Sequence, residues 1–137
     1  MNCPKCGSVM EPVIFENIEV DRCQTCFGLW FDMLEKEDLE KIENSESIDI
    51  GEKQIGEMYD RVRNIDCPKC NVRMIQMIDK AQFHIHYESC PSCLGVFFDA
   101  GEFRDLKDKI PALLFSGVYI KFVYVIFLLY KDLYRIS

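Results

Sequence analysis

The chain has 137 residues, of which 49% are hydrophobic and 28% charged, so a largely disordered protein is excluded. That length holds one ordinary domain or two very small ones. A formal net charge of -7 argues against a broadly cationic nucleic-acid binder, and eight cysteines are too many for an ordinary cytosolic core.

In chain order, the first feature is the knuckle Cys3-Pro4-Lys5-Cys6. Two cysteines three apart on a tight turn aim both sulfurs at one point. Gly7 follows, where left-handed backbone is often needed. Val13, Ile14 and Phe15, then Ile18, Glu19 and Val20, flank Glu16-Asn17 and predict a β-hairpin. Cys23 and Cys26 form a second knuckle, followed by the apolar run Leu29-Trp30-Phe31. Asp32 and Glu35 have capping-box spacing and predict a helix over about 33–43. The acidic run 35–46 reads as a solvated helix face. Residues 44–47 are a break. Ile55, Met58 or Tyr59, Val62 and Ile65 then recur at helical spacing, predicting an amphipathic helix over about 52–64 that packs the flanking units together or meets a partner.

The pattern then starts again. Cys67-Pro68-Lys69-Cys70 repeats the first knuckle, with Asn71 in the place of Gly7. Residues 74–78 and 83–87 predict a second hairpin around 79–82, with His84 and His86 sharing one strand face. Cys90 and Cys93 repeat the second knuckle, and Val96-Phe97-Phe98 repeats the apolar run. Asp99 and Glu102 repeat the cap ahead of a helix over about 100–109. Residues 2–42 and 66–109 are thus a duplication of a unit of about forty residues.

Sixteen residues separate the knuckles of the first copy and nineteen those of the second, and no cysteine is left over. Both gaps fit a two-knuckle metal site built from Cys3, Cys6, Cys23 and Cys26, and from Cys67, Cys70, Cys90 and Cys93. Four thiolates close a tetrahedral shell, leaving no position for water or substrate, so the ions are expected to be two structural Zn2+. Spacing alone fits iron equally well. Disulfides would need an oxidising compartment, and residues 1–6 carry no apolar leader. A unit this small cannot hold itself by core burial, so metal binding supplies the folding energy.

The string Cys-Pro-x-Cys, a hairpin, then Asp21-Arg22-Cys23-x-x-Cys26-x-Gly28-Leu29-Trp30-Phe31-Asp32 resembles the transcription factor IIB-type zinc-ribbon family. The second copy matches more loosely. The resemblance implies that all eight cysteines are ligands. It implies no catalytic residue, because the family has no common activity. By its name it implies a link to transcription, where the ribbon of transcription factor IIB docks on RNA polymerase. The family pattern has Gly directly after the last cysteine, whereas Phe27 and Leu94 stand there in this chain. A left-handed backbone would cost each about 1–2 kcal/mol and place an apolar tip beside each metal. Phe27 and Leu94 are therefore candidate partner-binding residues, and Trp30 and Phe97 join them as a binding face. The alternative is that, of Trp30 with Phe31 and of Phe97 with Phe98, one packs under the ribbon and the other covers the following helix.

The last feature is the apolar stretch 112–130, long enough to span about 28 Å as a helix. Its Leu, Ile, Val and Phe residues contribute about -4 to -7 kcal/mol to insertion, against about +3 for Lys121. The stretch is equally readable as a buried strand or helix, or as an interface between copies, because aromatic and β-branched residues are abundant in it.

The expected fold is a small metal-stabilised α+β protein: a zinc ribbon at 1–43, a helical spacer at 44–65, a second ribbon at 66–109 and a hydrophobic tail at 110–137. Each ribbon is a β-hairpin plus a short helix. The expected function is a non-enzymatic protein-interaction module in the cytoplasm, with 112–130 as its tether to a membrane or as a homo-oligomer interface. A thiol-based metal or redox sensor is the alternative. Direct nucleic-acid binding is disfavoured. The acidic excess lies in 1–109, and each zinc with four thiolates adds about two negative charges.

Overall fold

The computed structural model describes residues 1–108 of the chain. The stretch 112–130, read from sequence as a membrane span or interface, lies outside the described residues. The elements in chain order are β1 (Met10–Phe15), β2 (Ile18–Cys23), β3 (Leu29–Phe31), α1 (Glu35–Glu40), a short 3-10 helix (Ser45–Ile48), α2 (Lys53–Asp60), β4 (Ile75–Ile78), β5 (His86–Ser89), β6 (Val96–Phe98) and α3 (Glu102–Lys107).

The first hairpin forms as its sequence predicts. Glu16 and Asn17 both have positive φ, 46° and 68°, the two-residue turn whose twist matches paired strands. β1 and β2 then pair antiparallel from Phe15 with Ile18 to Met10 with Cys23. The second hairpin is shorter. β5 begins at His86, so Phe83 and His84 fall in the connecting loop and the two histidines share no strand face. Asp79 is the cause: its carboxylate accepts from the backbone N–H of Ala81 and Gln82, a turn that competes with strand pairing.

The two ribbons join into one six-stranded sheet, ordered β1-β2-β3-β6-β5-β4. β3 and β6 pair antiparallel at its centre, with Leu29 opposite Phe98, Trp30 opposite Phe97 and Phe31 opposite Val96. Equivalent strands of the two repeats thus meet about a local two-fold axis. Trp30 and Phe97 are buried on one face among Cys3, Cys23, Cys26, Cys67 and Cys90. Leu29, Phe31 and Phe98 are buried on the other among Val20, Leu39, Ile85, Phe103 and Leu106. Alternate residues point to opposite faces, and both faces are covered, so the strands read as unbroken apolar runs. On the second face Phe31 meets Phe98 edge to face, centroids 5.6 Å apart, and Tyr87 stacks on Phe98 at 4.8 Å.

Gly28 and Gly95 make this junction fit. A Cβ on Gly28 would stand 2.2 Å from Phe97 Cζ, and one on Gly95 would stand 2.3 Å from Trp30 Cζ2. Each ribbon's central aromatic lies directly on the other ribbon's glycine.

The spacer packs across both ribbons, as its sequence predicts: Arg22 of the first donates to the Ile48 carbonyl at 3.0 Å, and α2 closes on Ala100 of the second. Its helix ends at Asp60, short of the expected 64, leaving Val62 outside it and Met58 exposed, while Ile55 and Tyr59 pack on the core. Gly56 lets α2 close on the backbone of Ala100, since a Cβ there would meet the Ala100 carbonyl oxygen at 1.9 Å. Asp49 is buried and caps α3 from a distance. Its carboxylate accepts from the backbone N–H of Gly101 at 2.9 Å and of Arg104 at 3.0 Å. Arg104 returns two bonds, both 2.6 Å, to the carbonyls of Asp49 and Gly51.

The two predicted capping boxes part ways. Glu35 reaches back to the N–H of Asp32 at 2.8 Å, as the spacing predicts. Glu102 instead accepts from the N–H of His86 at 3.4 Å, which ties α3 to the start of β5.

Candidate metal centre

The first knuckle of each ribbon closes with the same bond. Gly7 and Asn71, with φ 79° and 58°, donate their N–H groups to the carbonyls of Cys3 and Cys67. At the second knuckles, Phe27 and Leu94 take φ 60° and 63°. A left-handed backbone is thus held here by bulky residues, at about 1–2 kcal/mol each. Backbone N–H groups also turn onto sulfur. Thr25 and Cys26 donate to Cys23 Sγ, Lys69 and Cys70 to Cys67 Sγ, and Ser92 and Cys93 to Cys90 Sγ, all at 3.4 Å. Such donors favour the thiolate over the thiol.

The eight sulfurs gather as the spacing predicts, Cys3, Cys6, Cys23 and Cys26 in one group and Cys67, Cys70, Cys90 and Cys93 in the other. Cys3 Sγ lies 3.6 Å from Cys26 Sγ, Cys6 Sγ 3.3 Å from Cys23 Sγ, and Cys67 Sγ 3.8 Å from Cys93 Sγ. A tetrahedron with Zn–S of about 2.3 Å has sulfurs about 3.8 Å apart, so the separations fit a metal shell. They are far too long for disulfides, and all eight cysteines are free. Among the described residues, no histidine joins either group.

Proton balance within the groups points the same way. The Cys3 thiol is pulled down to about 5, chiefly by the hydrogen bond from Cys26, and the same bond pushes Cys26 up. Burial raises Cys67 to about 12. Burial opposes ionisation of Cys90 too, yet the N–H groups of Cys93 and Ser92 bring it down to about 7. Within each group one thiol is thus pulled down while another is pushed up. A divalent ion resolves this by displacing the remaining protons.

The four candidate partner-binding residues separate. Trp30 and Phe97 are fully buried at the ribbon junction, so the expectation that they meet a partner is corrected in favour of the core alternative: the second ribbon covers the first ribbon's aromatic and the reverse. Leu94 is exposed, and Phe27 is half-buried against the spacer, close to Gly51.

Sequence reasoning missed Lys5. It sits between the first knuckle's two cysteines, yet its side chain is fully buried in the second ribbon. Its ammonium lies 2.7 Å from Glu88 and 3.1 Å from Asp99, and donates to the Tyr59 carbonyl at 3.0 Å. Burial alone would lower the Lys5 pKa, but the two carboxylates outweigh it and raise it. Burial raises Asp99 to about 7 against the pull of Lys5, and raises Glu88 as well. The equivalent Lys69 pairs with Asp32, but both side chains are nearly half exposed. Cys-Pro-Lys-Cys is identical in the two copies, so no local signal could have separated them.

The fold and the two closed shells define a tandem zinc-ribbon protein, with two structural zinc ions held by four thiolates each. The family described as transcription factor zinc-finger matches residues 2–44 and 66–109, more than half of the chain, and the chain belongs to it. No curated protein and no solved structure matches the chain.

Proposed function

We propose that the chain is a non-enzymatic protein-interaction module. The observation that carries this reading is the contrast between the metal shells and the surface. Each metal shell is complete in sulfur, which leaves the zinc a structural role. Around them Met33, Leu34 and Leu94 stand more than half exposed on a frame stiffened by zinc and by the six-stranded sheet. Large apolar side chains held out rigidly on an acidic protein suit a protein partner and repel phosphate. The description of the family, transcription factor zinc-finger, supports a partner in the transcription machinery. Zinc-thiolate sites suit a reducing compartment such as the cytoplasm. The sequence of 112–130 supports a membrane tether or an interface between copies, and fractionation of the full chain against a chain ending at 111 separates the two.

The test is isolation of the zinc-loaded full chain from its own cells under native conditions. The expected result is a stoichiometric protein complex that dissolves when zinc is chelated, with no retention of duplex DNA at physiological salt. A chain that runs alone, or one that binds duplex DNA directly, contradicts the reading.

A further inference from the structure

The local two-fold axis exposes an imbalance. On the side of Lys5, α2 seals the junction: its Tyr59 carbonyl takes the Lys5 ammonium, Gly56 closes on Ala100, and Gly51 fits between Ala100 and Phe27. From the second knuckle onward the copies are related by a step of 67 residues, as Cys23 is to Cys90 and Trp30 to Phe97. The same step relates the buried Ala100 and Gly101 to Met33 and Leu34, and the half-buried Phe27 to Leu94. Met33 and Leu34 are 55% and 60% exposed, and Leu94 52%. Among the described residues, no counterpart of α2 covers them.

The cover on the sealed side is the chain that follows the first ribbon, carried from the end of α1 to α2 by residues 41–52. The described residues reach Asp108, the counterpart of Lys41, so the chain leaves the second ribbon from the equivalent point. Residues 108–119 are as many as the first crossing uses, and α2 itself corresponds to residues 120–127, within the apolar stretch.

We propose that residues 116–127 of the same chain cover Met33, Leu34 and Leu94, in the place that α2 holds on the opposite side. The sequence fits that register. Ile55 and Tyr59, which pack α2 on the core, correspond to Phe122 and Ile126. Asp49, which caps α3 through the N–H groups of Gly101 and Arg104, corresponds to Ser116, another capping residue. The donors it meets are the N–H groups of Leu34 and Glu37. Lys121 is costly inside a bilayer, but it corresponds to the exposed Gln54 and so stays on the solvent side of the seated segment. The two faces also differ in a matching way. The small Ala100 and Gly101 take a mostly polar helix that approaches through Gly56. The large Met33, Leu34 and Leu94 take an almost wholly apolar segment with Val123 at the position of Gly56, resting on side chains and not on backbone. With the segment in place, a protein partner reaches Met33, Leu34 and Leu94 only by displacing it, which limits the interaction reading above and does not rest on it.

The test uses the zinc-loaded full chain, purified without detergent and labelled for methyl NMR. The expected result is Overhauser contacts, within one molecule, from the Met33 and Leu94 methyls to the Phe122 ring and the Ile126 methyls. The double change Phe122→Glu and Ile126→Glu makes relaxation of the Met33 and Leu94 methyls by a soluble paramagnetic agent several-fold faster. Unchanged zinc content and an unchanged Trp30 indole resonance verify that the variant is folded. Met33 and Leu94 methyls without those contacts, or relaxed as fast in the unaltered chain as in the double variant, overturn the proposal. So do contacts found only between labelled and unlabelled molecules, since a second copy would then cover the face. A full chain that leaves the membrane fraction only with detergent overturns it too, since 112–130 would then span a bilayer. Whether a protein partner exists is decided separately, by the native isolation described above.

Discussion

Lys5→Met tests how the two ribbons are locked together. The substitution keeps most of the side chain's volume but removes the ammonium from between Glu88 and Asp99, which are 5% and 2% exposed. It also removes the donor to the Tyr59 carbonyl. Breaking one side of a buried ion pair costs about 3–5 kcal/mol, because the remaining charges are desolvated and unpaired. At a urea slope of about 2 kcal/mol/M this lowers the midpoint by roughly 1.5–2.5 M. The carboxylates can escape part of the penalty by taking up protons. Asp99, already raised to about 7, rises further, so the loss is larger at pH 8 than at pH 6. Lys69→Met is the internal control. It removes the same residue from the same motif, but its pair with Asp32 has side chains 42% and 47% exposed, so the loss stays below about 1 kcal/mol. The assay is urea unfolding of the full chain in buffered zinc, followed by emission of Trp30, the single tryptophan, which is buried at the ribbon junction. Equal losses for the two variants would refute the claim that Lys5 is buried in the second ribbon.

Three further outcomes follow from the same structure. Gly95→Ala forces a methyl onto the Trp30 ring and costs about 1–3 kcal/mol, with a changed Trp30 emission, and Gly28→Ala costs a similar amount through Phe97; unchanged unfolding midpoints would contradict the packing. Leu94→Gly relieves a left-handed backbone at an exposed position and stabilises by about 0.5–1 kcal/mol in the same urea assay. Phe27→Gly gains less, because Phe27 packs near Gly51. Glu102→Gln keeps an acceptor for the His86 N–H while removing a charge that burial disfavours. Glu102 is raised to about 7, so its ionisation costs stability as pH climbs above the unfolded value, and calorimetry should show a larger gain in Tm at pH 8 than at pH 6.

The metal sites were legible in the sequence because ligand chemistry is local. A cysteine pair three apart, repeated after sixteen or nineteen residues, determines both the donors and the turn. The first hairpin was legible for a similar reason, since Asn17 accepts the left-handed turn that two short strands need. The joining of the ribbons was not. Leu29-Trp30-Phe31 could equally have packed beneath its own hairpin, and nothing in one copy says that its third strand pairs with the third strand of the other. The roles of Lys5 and Asp49 were hidden because both act across more than fifty residues of chain. Lys5 and Lys69 share one motif, and where α2 lands decides which of them is buried.

The central claim is that two complete four-sulfur zinc sites hold one continuous sheet. X-ray absorption at the zinc edge, with metal counted on the same full-length sample, tests it most directly. The expected result is two zinc ions per chain, each with four sulfurs at about 2.3 Å and no nitrogen or oxygen neighbour. One ion per chain, or a shell mixing sulfur with lighter donors, would contradict it.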